Sequence, residues 1–327
     1  MTTSRLLCAA SLLALLGSHH ASGAAYVGSA YEGFDYTAGN MGNTLAGGIG
    51  WNATGDNQPN TTTWGVGTSL TPGGTAANQA ITAAGLDYAS AAYGAEIGQA
   101  ALITGSGQIG RSLGQTVDSG TFYFSYLTQK TVDQVRTVNL AFFGSNERIA
   151  IGQIASNLNT RDQDGNWLTN AGANTGNLAV LISNSQNNTA AQTTASQAAN
   201  GVYVNTTSPV SYALNTTLLV VGKFEFNFNG GVEDRFTLYV NPGNLTDDSA
   251  LTPYLVIDHN DFGSLSALRL FAGGTSGGFT ASAAQFDEIR LGTNYVAVTG
   301  AIPEPSSFAA IAGLAGLAFA ATRRRRA

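Results

Sequence analysis

Two neighbouring stretches of the chain decide its fold class. Residues 218–229 read LLVVGKFEFNFN, and residues 235–240 read RFTLYV. In the first, apolar residues alternate with polar ones from Lys223 onward, and the alternation continues to Phe228; in the second, Phe236, Leu238 and Val240 share one side. A period of two places one side of a stretch in a core, so each predicts a half-buried strand. Gly230 and Gly231 lie between them and predict the turn of a hairpin.

Short apolar or aromatic runs predict further strands. They are Ala100–Thr104, Thr121–Leu127, Val138–Phe143, Arg148–Ile154, Leu178–Ile182, Tyr254–Ile257, Ala267–Phe271, Phe286–Leu291 and Tyr295–Val298. No amphipathic helix is predicted between Tyr26 and Ala301, and many strands without helices predict an all-β fold, an antiparallel β-sandwich or jelly roll. A β-helix is the alternative, but the sequence has no repeat of fixed period. Residues 41–78 and 183–211 are predicted as long loops, the second with a short strand around Tyr203.

The composition agrees with strands and turns rather than helices. The chain has 41 glycines among 327 residues, and only 10% of its residues are charged. The formal net charge is −6, but without Arg5, Glu304 and Arg323–Arg326 nine basic and nineteen acidic residues remain, a net charge of −10. Because an acidic body repels phosphate backbones, we expect no nucleic-acid partner. The only cysteine is Cys8, so a disulfide within the chain is excluded.

The N-terminus has the three parts of an export signal. Arg5 supplies a positive start, Leu6–Leu16 is an apolar run, and small residues follow. We therefore expect residues 1–25 to be a signal peptide, cleaved after Ser22-Gly23-Ala24 or after Gly23-Ala24-Ala25. The alternative is a buried N-terminal helix of the body.

The C-terminal residues 302–327 combine three elements in order. A rigid, non-helical entry at Pro303, Glu304 and Pro305 precedes an uncharged, helix-compatible run at 306–322. A basic cluster completes the segment: Arg323, Arg324, Arg325 and Arg326.

This arrangement resembles the PEP-CTERM sorting signal of bacterial exported proteins. The resemblance implies that an exosortase, a membrane-embedded transpeptidase-like enzyme, recognises the tail and cleaves near the Pro-Glu-Pro triplet. It also implies a transmembrane helix before processing, and a final location at the cell surface or in an extracellular matrix that contains exopolysaccharide. The alternative is a permanent membrane anchor.

The body, residues 26–301, resembles the concanavalin A-like, or laminin G-like, β-sandwich. The segments that carry the resemblance are Tyr31–Tyr36, Trp51, Thr121–Tyr126, Val221–Pro242 and Phe286–Tyr295. The resemblance implies a single lectin-like domain of the kind found in lectins, glycosidases and adhesion modules. Fold alone does not choose among these functions.

Three tryptophans are the candidate glycan-binding residues. Trp51, Trp64 and Trp167 lie in segments rich in glycine, asparagine and threonine. Aromatic rings beside amide side chains suit sugars, because rings stack on C–H faces while amides bind hydroxyls. The alternative is that these tryptophans fill the ends of the sandwich, since tryptophan is highly buried on average.

Two segments offer oxygen ligands for a metal. Asp162, Asp164 and Asn166 alternate as in calcium loops, although the glycine and glutamate of an EF-hand are missing. The alternative is a solvated turn. Residues 258–261 read DHND and contain His259, but without a thiol or a second histidine nearby a polar turn is the favoured interpretation. We therefore predict no cofactor, with calcium at Asp162, Asp164 and Asn166 as the alternative.

No pattern typical of a catalytic or nucleotide site is found. Residues 105–110 match G-x-G-x-x-G, but no predicted helix follows. Asp287 and Glu288 are adjacent on a predicted strand and should point to opposite faces, so they cannot be the carboxylate pair of a glycosidase. Glu288 and Arg290 share a face and predict a structural ion pair. We therefore predict no catalytic residue.

Together these features predict a non-enzymatic surface or matrix protein. Its role would be structural or adhesive, with polysaccharide as ligand, an exosortase as processing partner and the membrane as a transient contact. One alternative is a glycan-active hydrolase or lyase on the same fold. Another is a passive surface spacer without a ligand.

Overall fold

The computed structural model describes residues 24–41, 45–52, 62–66, 78–88, 93, 98–155, 160–166, 168, 176–183, 201–228, 233–259, 261–274 and 280–300. The elements in chain order are β1 Ala30–Glu32, β2 Gly39–Asn40, β3 Gly65–Val66, β4 Gln79–Ile81, β5 Ala101–Thr104, β6 Gln108–Val117, β7 Gly120–Lys130, β8 Val138–Phe143, β9 Glu147–Gln153, β10 Thr160–Arg161, β11 Ala179–Ile182, β12 Gly201–Val204, β13 Thr217–Phe226, β14 Asp234–Val240, β15 Leu255–His259, β16 Leu265–Ala272, β17 Ala283–Gly292 and α1 Tyr295–Thr299.

In the described residues these strands form two sheets. One sheet has nine strands, in the order β15-β14-β13-β7-β17-β5-β4-β2 with β1 beside β17. The other has eight, in the order β10-β12-β11-β9-β8-β16-β6-β3. Neighbouring strands are antiparallel except β10 and β12, which are parallel. The prediction of an all-β sandwich is therefore confirmed.

The main core lies between the two sheets and is rich in phenylalanine. Phe142 of the eight-stranded sheet inserts among rings of the other sheet, with its centroid 4.8 Å from that of Phe124 and 5.6 Å from that of Phe224. All three rings are fully buried. Because burial of such a ring stabilises the folded state, truncating one of them to alanine costs about 3–5 kcal/mol.

A second apolar cluster lies on the outer face of the nine-stranded sheet. Tyr295 and Val298 of α1 pack there with Tyr123 and Tyr239 of the sheet, and Leu86 joins them from the segment after β4. This face is therefore closed over much of its area by α1 and the segment after β4.

The hairpin predicted first is present, with β13 and β14 paired from Val220 opposite Val240 to Glu225 opposite Arg235. The alternation does not continue to Phe228, however. Asn227 adopts a left-handed backbone with φ of 53°, and the Phe228 ring lies 3.7 Å from the Arg235 guanidinium. The predicted turn at 230 and 231 lies outside the described residues.

The other predicted strands overlap observed ones, with one exception. Tyr295–Val298, predicted as a closing strand, belongs to the helix α1. Its N-cap is Asn294, whose side chain accepts a 2.9 Å hydrogen bond from the Ala297 backbone N–H. Such a cap satisfies a donor that the first helical turn leaves open, so a helix forms there in spite of the valines.

The two terminal segments are largely outside the described residues. These include residues 1–23, 301–327 and thus the whole predicted sorting tail. Within the part of the chain that is described, no helix combines the length and the apolar character that crossing a bilayer requires.

Candidate functional site

A cavity of about 530 Å³ opens beside the end of β14. It lies between the connection that follows β12, the turn after β14 and the segment before β15. Its walls are formed by Asn205, Thr207, Ser208, Val210, Tyr239, Val240, Asn241, Pro242, Gly243, Leu251, Thr252, Pro253 and Tyr254. None of these residues is charged, so the cavity combines apolar surface with hydroxyl and amide groups.

Asn241 fixes one wall of the cavity. Its φ of 47° is left-handed, a conformation that asparagine tolerates better than most residues. Its backbone N–H donates to the Leu219 carbonyl at 2.8 Å, and its side-chain oxygen accepts from the Leu219 N–H at 2.9 Å. The turn that contains Pro242 and Gly243 is thereby tied to β13.

Asn205 fixes the opposite wall. Its amide donates to the Tyr254 carbonyl at 2.7 Å. Its side-chain oxygen accepts from the N–H groups of Thr207 and Ser208 at 3.0 and 2.7 Å. Asn205 therefore ties the 205–208 segment to Tyr254, the residue before β15.

Two tyrosines of the cavity differ in what their hydroxyls do. The Tyr254 hydroxyl donates to the buried Leu178 carbonyl at 2.8 Å, so its proton is used in a hydrogen bond within the folded protein. The Tyr239 hydroxyl has no hydrogen-bond partner among the described residues, although the residue is only 6% exposed. Burial, with the nearby negative charges of Asp248 and Glu225, raises the pKa of Tyr239 to about 12, so the hydroxyl keeps its proton.

This arrangement is suited to an uncharged, polyhydroxylated ligand. Tyrosine and proline rings provide apolar surface, while the exposed Ser208, Asn241 and Thr252 offer hydrogen bonds. The described residues that line the cavity include no carboxylate, so these residues do not supply the carboxylate pair of a glycosidase.

A second group of functional side chains surrounds an irregularity in β17. The pairing of β17 with β7 shifts register between Asp287 and Arg290, and Glu288 has φ of 51°. The Glu288 carboxylate pairs with Arg290 at 2.6 Å and accepts from the Tyr31 hydroxyl at 2.6 Å. The predicted Glu288–Arg290 ion pair is thus present.

The bulge also brings Asp287 to the same side of the sheet. The Asp287 carboxylate accepts from the N–H of Leu86, which lies on the outer face, while Arg290 lies over the Tyr93 ring at 3.9 Å on that face. The expectation that Asp287 and Glu288 point to opposite faces is therefore wrong, because the extra residue of a bulge breaks the alternation. Burial raises the pKa of Asp287 well above its usual range.

Two of the predicted glycan-binding tryptophans are in the interior. Trp51 and Trp64 are fully buried, as the alternative interpretation has it. The Arg111 guanidinium lies 4.4 Å from the Trp51 ring centroid and forms a 2.6 Å ion pair with Glu32. Trp64 donates its ring N–H to that same carboxylate at 2.8 Å. Trp167, the third candidate, lies outside the described residues.

The candidate calcium ligands form a self-contained turn. One Asp162 carboxylate oxygen accepts from the backbone N–H groups of Asp164 and Asn166 at 2.9 and 2.8 Å. The other accepts from the Asn166 side chain at 3.1 Å. Both carboxylate oxygens of Asp162 therefore accept hydrogen bonds from within the turn.

The DHND segment and the glycine motif also receive structural explanations. Asp258 forms an ion pair with Arg235 across the β14–β15 pair, with a nitrogen–oxygen distance of 2.6 Å. No group of three or more acidic, histidine or cysteine residues is placed to hold a metal within the described ranges. The glycine motif is followed by the strand β6, which begins at Gln108, and not by the helix that a nucleotide site needs.

No family model matches the chain, and no curated protein matches it. Similar solved structures include domain 4 of AbnA, a GH43 extracellular arabinanase from Geobacillus stearothermophilus, in complex with arabinotriose. It is 14% identical, with 85% of this chain and 94% of that chain covered and a TM-score of 0.40. The catalytic domain of a glycoside hydrolase family 131 protein from Coprinopsis cinerea is 10% identical. The match covers 76% of this chain and 89% of that chain, with a TM-score of 0.39. An endo-β-1,4-glucuronan lyase from Trichoderma reesei is 13% identical, with 62% and 85% covered and a TM-score of 0.34.

One prediction is wrong in the light of this finding, namely that the chain is not an enzyme. The similar structures include polysaccharide lyases and a glycoside hydrolase, so the general form of the chain gives no ground for excluding catalysis. At these identities and TM-scores the similarities assign no residue, substrate or reaction to this chain.

Sequence reasoning found the Glu288–Arg290 pair on β17, but it did not find the cavity or the position of Asp287 beside that pair. The cavity joins three segments that are far apart along the chain, and only its Asn241-Pro242-Gly243 turn is visible as a local signal. The cluster depends on the left-handed backbone conformation of Glu288, and no residue type in that stretch indicates such a conformation.

Proposed function

We propose that the chain is an exported protein of the cell surface or extracellular matrix that interacts with polysaccharide through a concanavalin A-like sandwich. The export signal, the PEP-CTERM-like tail and the exosortase partner rest on the sequence features at the two ends. The polysaccharide interaction rests on the cavity beside β14. The similar structures leave the ligand of this chain open.

The observation that carries this proposal is the uncharged lining of that cavity. A neutral glycan presents C–H faces and hydroxyls, which match the apolar Tyr254 and Pro242 and the exposed polar residues Ser208 and Thr252. A uronate or sulfate group would lose hydration there without meeting a cation, which is costly. The body's net charge of −10 also disfavours a polyanion. The proposed ligand is therefore a neutral polysaccharide.

Binding to a panel of neutral and acidic polysaccharides tests this function. The protein purified from its host is passed over each immobilised polymer, with calcium and with a chelator. Retention on a neutral polymer that free oligosaccharide reverses is the expected result. Retention on acidic polymers alone, lost at high salt, would contradict a neutral ligand, and no retention on any polymer would contradict the function itself.

A second candidate function is glycan cleavage, and the cluster on β17 favours it. A buried acid with a raised pKa, Asp287, lies next to a second buried carboxylate, Glu288, which is in contact with the partly exposed Tyr31. A carboxyl group whose pKa is raised by burial can act as a proton donor, and the neighbouring carboxylate supplies the second acidic group that glycan cleavage uses. The protein should then release reducing ends, or unsaturated uronates, from one member of the panel.

The conservative variants Asp287→Asn and Glu288→Gln provide the test of cleavage. Each variant, assayed at a temperature at which circular dichroism shows it folded, should lose product formation while retention on the polysaccharide persists. Activity that survives both substitutions would show that this cluster is not the catalytic site.

A further inference from the structure

The first described residues are already part of the sandwich. The Ala24 carbonyl accepts from the Asp118 backbone N–H at 2.9 Å, and the Ala24 N–H donates to the Asp118 carboxylate. Ala25 then forms a parallel bridge with Ser119. The chain is therefore paired with the β6–β7 connection from Ala24 onward.

The next two residues continue this attachment. Tyr26 is 3% exposed and its ring lies 4.8 Å from that of Phe122 in the core. Val27 exchanges two hydrogen bonds with the Gln115 side chain, donating at 2.9 Å and accepting at 3.1 Å. Cleavage after Ala24 would remove both bonds between Ala24 and Asp118, and cleavage after Ala25 would also remove the bridge to Ser119.

We infer that the export signal is removed between Gly23 and Ala24, and that Asp118 binds the new N-terminal ammonium. This inference rests on the proposed export of the chain. Hydrolysis of the Gly23–Ala24 peptide bond by water leaves a carboxylate on Gly23 and an amino group on Ala24, which takes up a proton. Where the peptide offers one N–H to Asp118, the ammonium offers three and a positive charge, so the bond becomes a charge-assisted one.

The sequence before the bond fits this register. Ala21 and Gly23 are the third and first residues before it, and both are small, as cleavage of an export signal requires. The two sites expected from the sequence satisfy the same rule, so residue size alone does not choose. The contacts between Ala24 and Asp118 distinguish the sites, because only cleavage before Ala24 leaves these contacts intact.

N-terminal sequencing and intact-mass measurement of the protein from its native host test the register. The expected mature chain begins Ala24-Ala25-Tyr26. A chain that begins at Ala25 or Tyr26 would overturn the inference while leaving export in place. A chain that retains Met1 would overturn export and the cleavage together.

A second measurement tests the ion pair. Asp118→Asn keeps an acceptor for Ala24 but removes the charge, so the processed variant should melt about 1–2 °C below the wild type. Acetylation of the amino groups in both proteins should abolish this difference, because the ammonium is then lost. Equal melting temperatures before acetylation, or a difference that survives it, would overturn the role given to Asp118.

Discussion

The hydroxyl of Tyr31 lies 2.6 Å from a carboxylate oxygen of Glu288, 257 positions further along the chain. Tyr31 is in β1 and Glu288 is in β17, which pair side by side. The contact joins the start of the sandwich to its last strand, and Arg290 completes it from the same strand.

Removing the Glu288 charge should therefore be costly. Glu288→Gln leaves Arg290 buried without its ionic partner, so the free energy of unfolding should fall by about 3–5 kcal/mol. Urea denaturation followed by tryptophan fluorescence measures this. The control is Glu225→Gln, since Glu225 pairs with Lys223 at 3.0 Å with both side chains 22% exposed, and it should cost at most about 1 kcal/mol. Similar small losses in both variants would contradict the prediction.

Asp234 should make stability depend on pH. Burial raises the pKa of Asp234 from 3.8 to about 6, so the folded state binds the proton of the Asp234 carboxyl group more tightly than the unfolded chain does. The resulting stabilisation is fully present below about pH 4 and is lost as the pH rises through about 6. The Asp234→Asn variant has no carboxyl group at this position to titrate. Its free energy of unfolding, measured from about pH 4 to about pH 6, should therefore lack this pH-dependent stabilisation. Profiles of wild type and variant that run parallel would count against it.

Two tyrosine-to-phenylalanine substitutions should have opposite effects on stability. The Tyr26 hydroxyl is buried and has no partner among the described residues, so Tyr26→Phe should be neutral or stabilise by about 1 kcal/mol. Tyr254→Phe leaves the Leu178 carbonyl without its hydrogen bond and should destabilise by about 1–3 kcal/mol. Thermal unfolding of the two variants side by side provides the comparison, and a loss of the same size in both would refute it.

The Thr252 hydroxyl should contribute to glycan affinity, since Thr252 is exposed and lines the cavity. Thr252→Val keeps the size of the side chain and removes its hydroxyl, so binding of a neutral oligosaccharide should weaken about threefold to tenfold. Thr252→Trp should abolish binding by filling the cavity. Titration calorimetry measures both, with Tyr26→Phe as a control that lies away from the cavity. Unchanged affinity in Thr252→Trp would place the ligand elsewhere.

The fold class could be read from the sequence because it depends on local alternation. The alternation around Phe224 and Phe236 is a property of adjacent residues, and both lie in the core as predicted. The helix α1 could not be predicted because its valines favour strands. The only sequence signal for the start of the helix is its N-cap Asn294, and one residue does not outweigh that preference. Short helices of this kind depend on packing rather than on propensity.

The candidate sites could be read only in part, because they depend on distant contacts. Trp51 and Trp64 are predicted as glycan-binding residues from their loop-like surroundings, but both indoles are buried. Trp51 contacts Arg111 there, and Trp64 donates a hydrogen bond to Glu32. Glu288 and Arg290 were paired correctly from their spacing. The Asp287 carboxylate was misplaced, because the backbone reversal at Glu288 is imposed by the whole sheet and has no local signature.

The position of β17 has a consequence for how the molecule acquires its shape. This last strand lies inside the nine-stranded sheet, with β7, β5 and β1 all paired to it. A chain delivered from its N-terminus, whether from a ribosome or through a translocation channel, has a gap in the middle of that sheet until residue 292 has emerged. Closure must then await long-range pairing, which is slow. The nine-stranded sheet is consequently completed only when the last strand of the chain is available for pairing.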